Sequence, residues 1–168
     1  MTKGITATSG SIIGFIMGLV ILATAMEGQE ISLEPHEELA KELLHELIEI
    51  NTVDSAGTTA AAEAMARHLL DANFPAEDVN IVGPNDRKMN LVARLRGRNT
   101  GRPSILLLAH LDVVEALPSD WNIDPWTFNE RDGYYYGRGV TDDKDEAAIY
   151  TANLIRLKQE GFVPFPFL

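Results

Sequence analysis

Cysteine is absent from the 168 residues, so disulfide staples and thiolate metal sites are both excluded. Any metal in this chain must be held by His, Asp and Glu. Basic residues are also scarce, 14 Lys and Arg against 25 Asp and Glu, for a net charge of −11. A surface of that sign repels nucleic-acid phosphates and anionic lipid, so neither is expected as a partner. No apolar run reaches the roughly 20 residues that a membrane-spanning helix needs. What is present is the balance of a folded protein, 45% apolar and 23% charged, in a chain of one-domain size.

The first 25 residues differ from the rest. No charge falls between Lys3 and Glu27, and the apolar stretch Ile12 to Leu22 leads into Ala23-Thr24-Ala25. A basic start, a short apolar run and a small-x-small site form a secretory signal. The expectation is a signal peptide over residues 1–25, with a retained N-terminal membrane anchor as the alternative. The protein is then exported, periplasmic or extracellular, or tethered to the membrane.

A folded region is expected over residues 31–168. Pro35 suits the first turn of a helix, and Glu37 and Glu38 suit the positive end of its dipole. Leu39, Leu43, Leu44, Leu47 and Ile48 recur at helical spacing, which predicts an amphipathic helix to about Ile50. Ala62, Met65, Leu69 and Leu70 mark a second helix that stops before Pro75. Val79 to Val82 reads as a strand closed by Gly83-Pro84, and Asn90 to Leu95 as a half-buried strand. Ser104 to Ala109 is continuously apolar and predicts a central strand covered on both faces. Glu115 to Asp132, with Pro118, Pro125 and two tryptophans, reads as a long loop, and Tyr134 to Tyr136 is β-prone. Ala148, Ile149, Ala152 and Ile155 mark a third helix stopped by Gly161. The order of elements makes an α/β arrangement.

Four histidines are available. His36 and His45 point to opposite faces of one helix at about 100° per residue, and with His68 they read as ordinary surface or helix-end groups. His110 differs, because it ends the most apolar run and is followed by Asp112. In a strand, residues two apart share a face, so imidazole and carboxylate lie side by side. The pair is either a satisfied structural contact or a metal ligand whose ring is oriented by a carboxylate. A second cluster, Gly137-Arg138-Gly139-Val140-Thr141-Asp142-Asp143-Lys144, has two readings as well. Its aspartates cap the following helix, or one of them bridges a pair of divalent ions.

Taken together, the clusters resemble the superfamily of two-zinc hydrolases that includes glutamate carboxypeptidase, aminoacylase, succinyl-diaminopimelate desuccinylase and carnosinase. The matching residues are Leu107 to Val114, then Trp121 with Asp124-Pro125-Trp126, Asp132-Gly133, Tyr136 to Gly139, and Asp142-Asp143-Lys144. Upstream, Asn51-Thr52, the Ala-rich second helix and Asn90-Leu91-Val92 also look like the family. The resemblance implies a fold class, α/β: the N-terminal part of a mixed-sheet, zinc-exopeptidase-like catalytic domain flanked by helices. It implies two zinc ions as cofactors, with His110 binding one and Asp142 bridging both. It places Asp112 in the catalytic apparatus as the carboxylate that orients His110, and a cis peptide between Asp142 and Asp143. The implied substrate is a small peptide or an N-acyl amino acid, cut at its amide bond.

Two departures from the family pattern stand out. Asp145 and Glu146 follow the Asp-Asp-Lys run where the family has a small residue. The family also continues beyond the third helix with a strand, an adjacent Glu-Glu pair that supplies the general base and a ligand, and a second His. Here the final residues are Pro164-Phe165-Pro166-Phe167-Leu168, which do not suit a buried strand. The expectation is the N-terminal portion of a longer enzyme, inactive as these 168 residues. The rival expectation is an exported or tethered non-catalytic domain with a remnant metal site.

Overall fold

The computed structural model describes residues 32–98 and 103–164. The expected signal peptide or anchor at 1–25 lies outside the described residues, as does the end of the aromatic tail. Among the described residues no helix is long and apolar enough to cross a membrane.

Three helices carry the core. Helix α1 spans Pro35–Glu49, α2 Thr59–Asp71 and α3 Lys144–Gln159. Pro35 opens α1 as its position predicts, and Glu37 reaches back to accept from the Glu34 N–H at 2.8 Å. Gly161, at φ +68°, ends α3, and its own N–H and that of Phe162 satisfy the Lys158 and Leu157 carbonyls. Leu43, Leu44, Leu47 and Ile48 of α1 pack on Ala61, Ala64 and Met65 of α2 and on Ala148 and Ala152 of α3. The alanines let the helix backbones approach closely, so the long α1 side chains fill the space between the three rods. Each such leucine contributes about 1.5–3 kcal/mol through removal from water. A second cluster, Leu69, Phe74 and Ile155, seats the first sheet.

That sheet pairs β1 (Val79–Val82) with β2 (Asn90–Ala93) antiparallel, Val79 opposite Ala93 and Val82 opposite Asn90. Strand β2 stops at Ala93, two residues short of the expected Leu95. A second hairpin pairs β3 (Asn129–Arg131) with β4 (Tyr134–Tyr136). Asp132 and Gly133, at φ +55° and +77°, form its two-residue turn. The expected loop therefore ends earlier than Asp132, because Asp-Gly with both residues left-handed matches the twist of a tight hairpin.

The α/β class holds, built among the described residues from two antiparallel hairpins and three helices. The expected central strand at Ser104–Ala109 is a correction. Among the described residues this run joins no sheet, and Ile105, Leu106, Leu107 and Leu108 stand 72%, 76%, 50% and 72% exposed. Continuous apolar content states what a strand requires on its faces, and no described segment lies alongside to satisfy it.

Candidate metal centre

Directly after the apolar run, Leu111 and Val113 turn inward and are tied to Thr52, just past the end of α1, while His110 and Asp112 face outward. Thr52 Oγ1 donates to the Leu111 carbonyl at 2.6 Å, and the Val113 N–H donates to the Thr52 carbonyl at 3.2 Å. The second limb, 137–143, wraps the start of α3. Gly137 packs against Ile48 and Gly139 against Val113 and Lys144, so the glycine turn lies flat on the core where a side chain has no room. Arg138 holds the preceding loop to this turn: its N–H donates to the Pro125 carbonyl at 2.7 Å and its guanidinium lies 5.2 Å from the Trp121 ring.

The two limbs meet at His110. Its Nε2 lies 2.9 Å from Asp142 Oδ1, across 32 residues of sequence. Its Nδ1 lies 3.0 Å from the main-chain carbonyl of Asp112 and 3.5 Å from that residue's carboxylate. All three expected residues, His110, Asp112 and Asp142, are thus brought together. A carbonyl can only accept, so Nδ1 carries a hydrogen and Nε2 is the ring's remaining ligand atom. Nε2 in turn faces a carboxylate, which also only accepts when ionised. A proton on Nε2, or a cation in its place, relieves that opposition. Partial burial disfavours the charged ring, but hydrogen bonds to Asp112 and Asp142 and their charges outweigh it, holding the His110 pKa above the usual imidazole value.

Asp143 corrects the helix-cap reading. It occupies the N-cap of α3 but makes no side-chain cap bond, and its Oδ2 instead accepts from the His110 N–H at 3.1 Å. The Asp142–Asp143 peptide is cis, as the family resemblance implies. Asp145 and Glu146 sit in the first turn of α3, where acidic groups suit the helix dipole, and Glu146 accepts from Tyr150 Oη at 2.6 Å. His45 and His68 have ordinary partners: His45 pairs with Glu49 at 3.0 Å and stacks on Phe128, and His68 pairs with Glu46 at 2.6 Å.

His110 and Asp142, both accessible to solvent, fit two ligands of a hard-to-borderline divalent ion. Among the described residues no group of three or more His, Asp or Glu side chains is arranged to hold a metal ion. Thr52, Asp143 and Lys144 are named in the sequence only as parts of the matching motifs, and their contacts, which run to main-chain atoms, are not read there.

Residues 106–167 match the family described as Peptidase family M20/M25/M40, a stretch that contains both limbs of the site. That stretch is similar to the M20 peptidase family. Similar proteins include the N-fatty-acyl-amino acid synthase/hydrolase PM20D1 of Xenopus tropicalis, 46% identical over 71 residues, or 42% of this chain and 14% of that protein. A probable succinyl-diaminopimelate desuccinylase of Staphylococcus epidermidis is 37% identical over 85 residues, 50% of this chain and 20% of the relative. The succinyl-diaminopimelate desuccinylase of Parvibaculum lavamentivorans is 39% identical over 74 residues, 44% and 18% of the two chains. The aligned stretches thus span at most about a fifth of the length of these relatives.

Proposed function

We propose that this chain contributes the first imidazole and the bridging carboxylate of a two-zinc hydrolase that cuts the amide bond of a small peptide or an N-acyl amino acid. The observation that carries the reading is the 2.9 Å approach of His110 Nε2 to Asp142 Oδ1, with Nδ1 already committed to a carbonyl. The names of the relatives support the substrate class, since an N-fatty-acyl amino acid and succinyl-diaminopimelate are both N-acylated amino acids.

In this reading His110 and Asp142 hold the metal. Zinc bound there would supply Lewis acidity and a water of lowered pKa. Asp112 fixes the ring's tautomer, and Asp143 fixes the main chain that carries it. At least one further ligand is needed from residues other than those described, because two protein ligands fall short of the three usual at a catalytic zinc. The 168 residues are accordingly proposed to be inactive alone. We extend the proposal to export, carried by the short apolar run and Ala23-Thr24-Ala25 near the start.

The test is zinc titration of the purified chain beside His110→Ala and Asp142→Ala, together with hydrolysis assays on N-acyl amino acids and dipeptides. Weak zinc binding that both substitutions remove, without turnover, is the expected result. Zinc held tightly in His110→Ala would place the metal elsewhere. That only two proposed donors stand at the site among the described residues favours a second reading, a non-catalytic domain with a remnant site. Turnover by a form of the protein extended with the family's Glu-Glu region separates the two.

A further inference from the structure

Helix α1 ends with carbonyls that have no donors within the helix, and no basic residue stands in its last turn. The missing cation arrives from across the fold. Lys144 Nζ donates to the Leu47 carbonyl at 2.7 Å and to the Ile50 carbonyl at 2.9 Å. Lys144 is 0% exposed, and burial pushes its pKa down to about 8. Two carbonyls at the negative end of a helix work in the other direction and favour the ammonium. Just past them, Thr52, also 0% exposed, makes its two bonds to Leu111 and Val113.

Those contacts bracket the site. Leu111 and Val113 flank Asp112, and Leu111 adjoins His110, while Lys144 follows Asp142 and Asp143 directly. Each limb of the metal centre is therefore clamped by one buried polar side chain, and both clamps close on residues 47–52. A lysine is a costly way to fill a core, since a buried ammonium loses its hydration and an apolar side chain of similar size packs without that cost. Its use here is to reach two carbonyls that an apolar residue cannot bind.

We infer that Thr52 and Lys144 are positioning residues that set the separation of His110 and Asp142, with the C-terminal end of α1 as their common anchor. For its functional weight this rests on the reading of His110 and Asp142 as zinc ligands, but the geometry it describes exists without metal.

The experiment compares the native chain with Thr52→Val, Lys144→Met and the conservative Thr52→Ser. The His110 ring resonances are followed by heteronuclear NMR at fixed pH, assigned with His110→Gln. Helix content is checked by circular dichroism, and zinc is then titrated. Thr52→Val and Lys144→Met are expected to keep native helix content and to move the His110 ring resonances. Zinc affinity should fall about 10–100-fold, the usual range for a group that orients a ligand. Thr52→Ser, which keeps the hydroxyl, should restore both. Native ring resonances in both variants would overturn the inference and leave Thr52 and Lys144 with a role in the fold only. Loss of helix content in either variant overturns the part assigned to that residue. Resonances that move in a native chain with no measurable zinc binding support the positioning and sink the metal reading, so the two fail separately.

Discussion

His110 and Asp142 make a side-chain contact of 2.9 Å although they belong to different limbs of the chain and neither lies in a helix or a sheet. The geometry around them ranks the neighbouring carboxylates. The nearest partner of His110 Nδ1 is the main-chain carbonyl of Asp112 at 3.0 Å, and the Asp112 carboxylate stands behind it at 3.5 Å.

Substitution at the three positions should follow that ranking. His110→Ala and Asp142→Ala each remove a proposed metal ligand and are expected to bring zinc binding below detection. Asp112→Ala leaves the carbonyl in place, so it should cost about 10-fold in affinity, the lower end of the range for groups that orient a ligand. Zinc titration of the three variants under one buffer checks the order, and an Asp112→Ala loss equal to that of His110→Ala contradicts it.

Gly139 should resist any side chain. Its φ is +97°, and an added Cβ would stand 2.9 Å from Val113 Cγ1 and 3.0 Å from Lys144 Cδ. Gly139→Ala combines left-handed backbone strain with pressure on both limbs of the site and is expected to destabilise the fold by about 1–3 kcal/mol. Urea unfolding followed by circular dichroism measures the change.

The apolar run should drive self-association. Ile105 to Leu108 are half-exposed or more and join no sheet among the described residues, which is an invitation to intermolecular strand pairing. The native chain is expected to associate as its concentration rises, and Leu106→Lys with Leu108→Lys to reduce this. Sedimentation velocity across a concentration series distinguishes the two, and a native chain that stays monomeric throughout would refute the expectation.

Lys144 should be chemically silent while the protein is folded. Lys41 and Lys88 have 28% and 41% of their side chains exposed, whereas Lys144 has none. Limited acylation of native protein should label Lys41 and Lys88 first and leave Lys144 unmodified until denaturant is added. Peptide mass mapping of the labelled sites reads the order.

Much of this was legible in residue order. The helices follow from a 3.6-residue apolar period bounded by Pro35 at one end and Gly161 at the other, and β1 matches its expected span of Val79–Val82. The hairpin at Asn129–Tyr136 was readable in principle from Asp132-Gly133, but two prolines and two tryptophans upstream made the stretch look like one loop. Ser104–Ala109 misled for a different reason. Local composition reports how much a segment gains from burial and carries no information about whether a neighbour is there to bury it.

The site divides along the same line. His110, Asp112 and Asp142 are recognisable by residue type and order, because metal chemistry without cysteine can use only imidazole and carboxylate, and these residues hold the sequence positions at which the resembling family places them. Those identities, with the acidic surface and the helical core, were determined by the sequence by itself. Tertiary structure alone decided that Asp143 holds the His110 main chain, that Thr52 grips Leu111 and that Lys144 closes the end of α1. Each of these bonds ends on a main-chain N–H or carbonyl. Every residue but proline carries both groups, so no pattern of side chains could mark which one would be met.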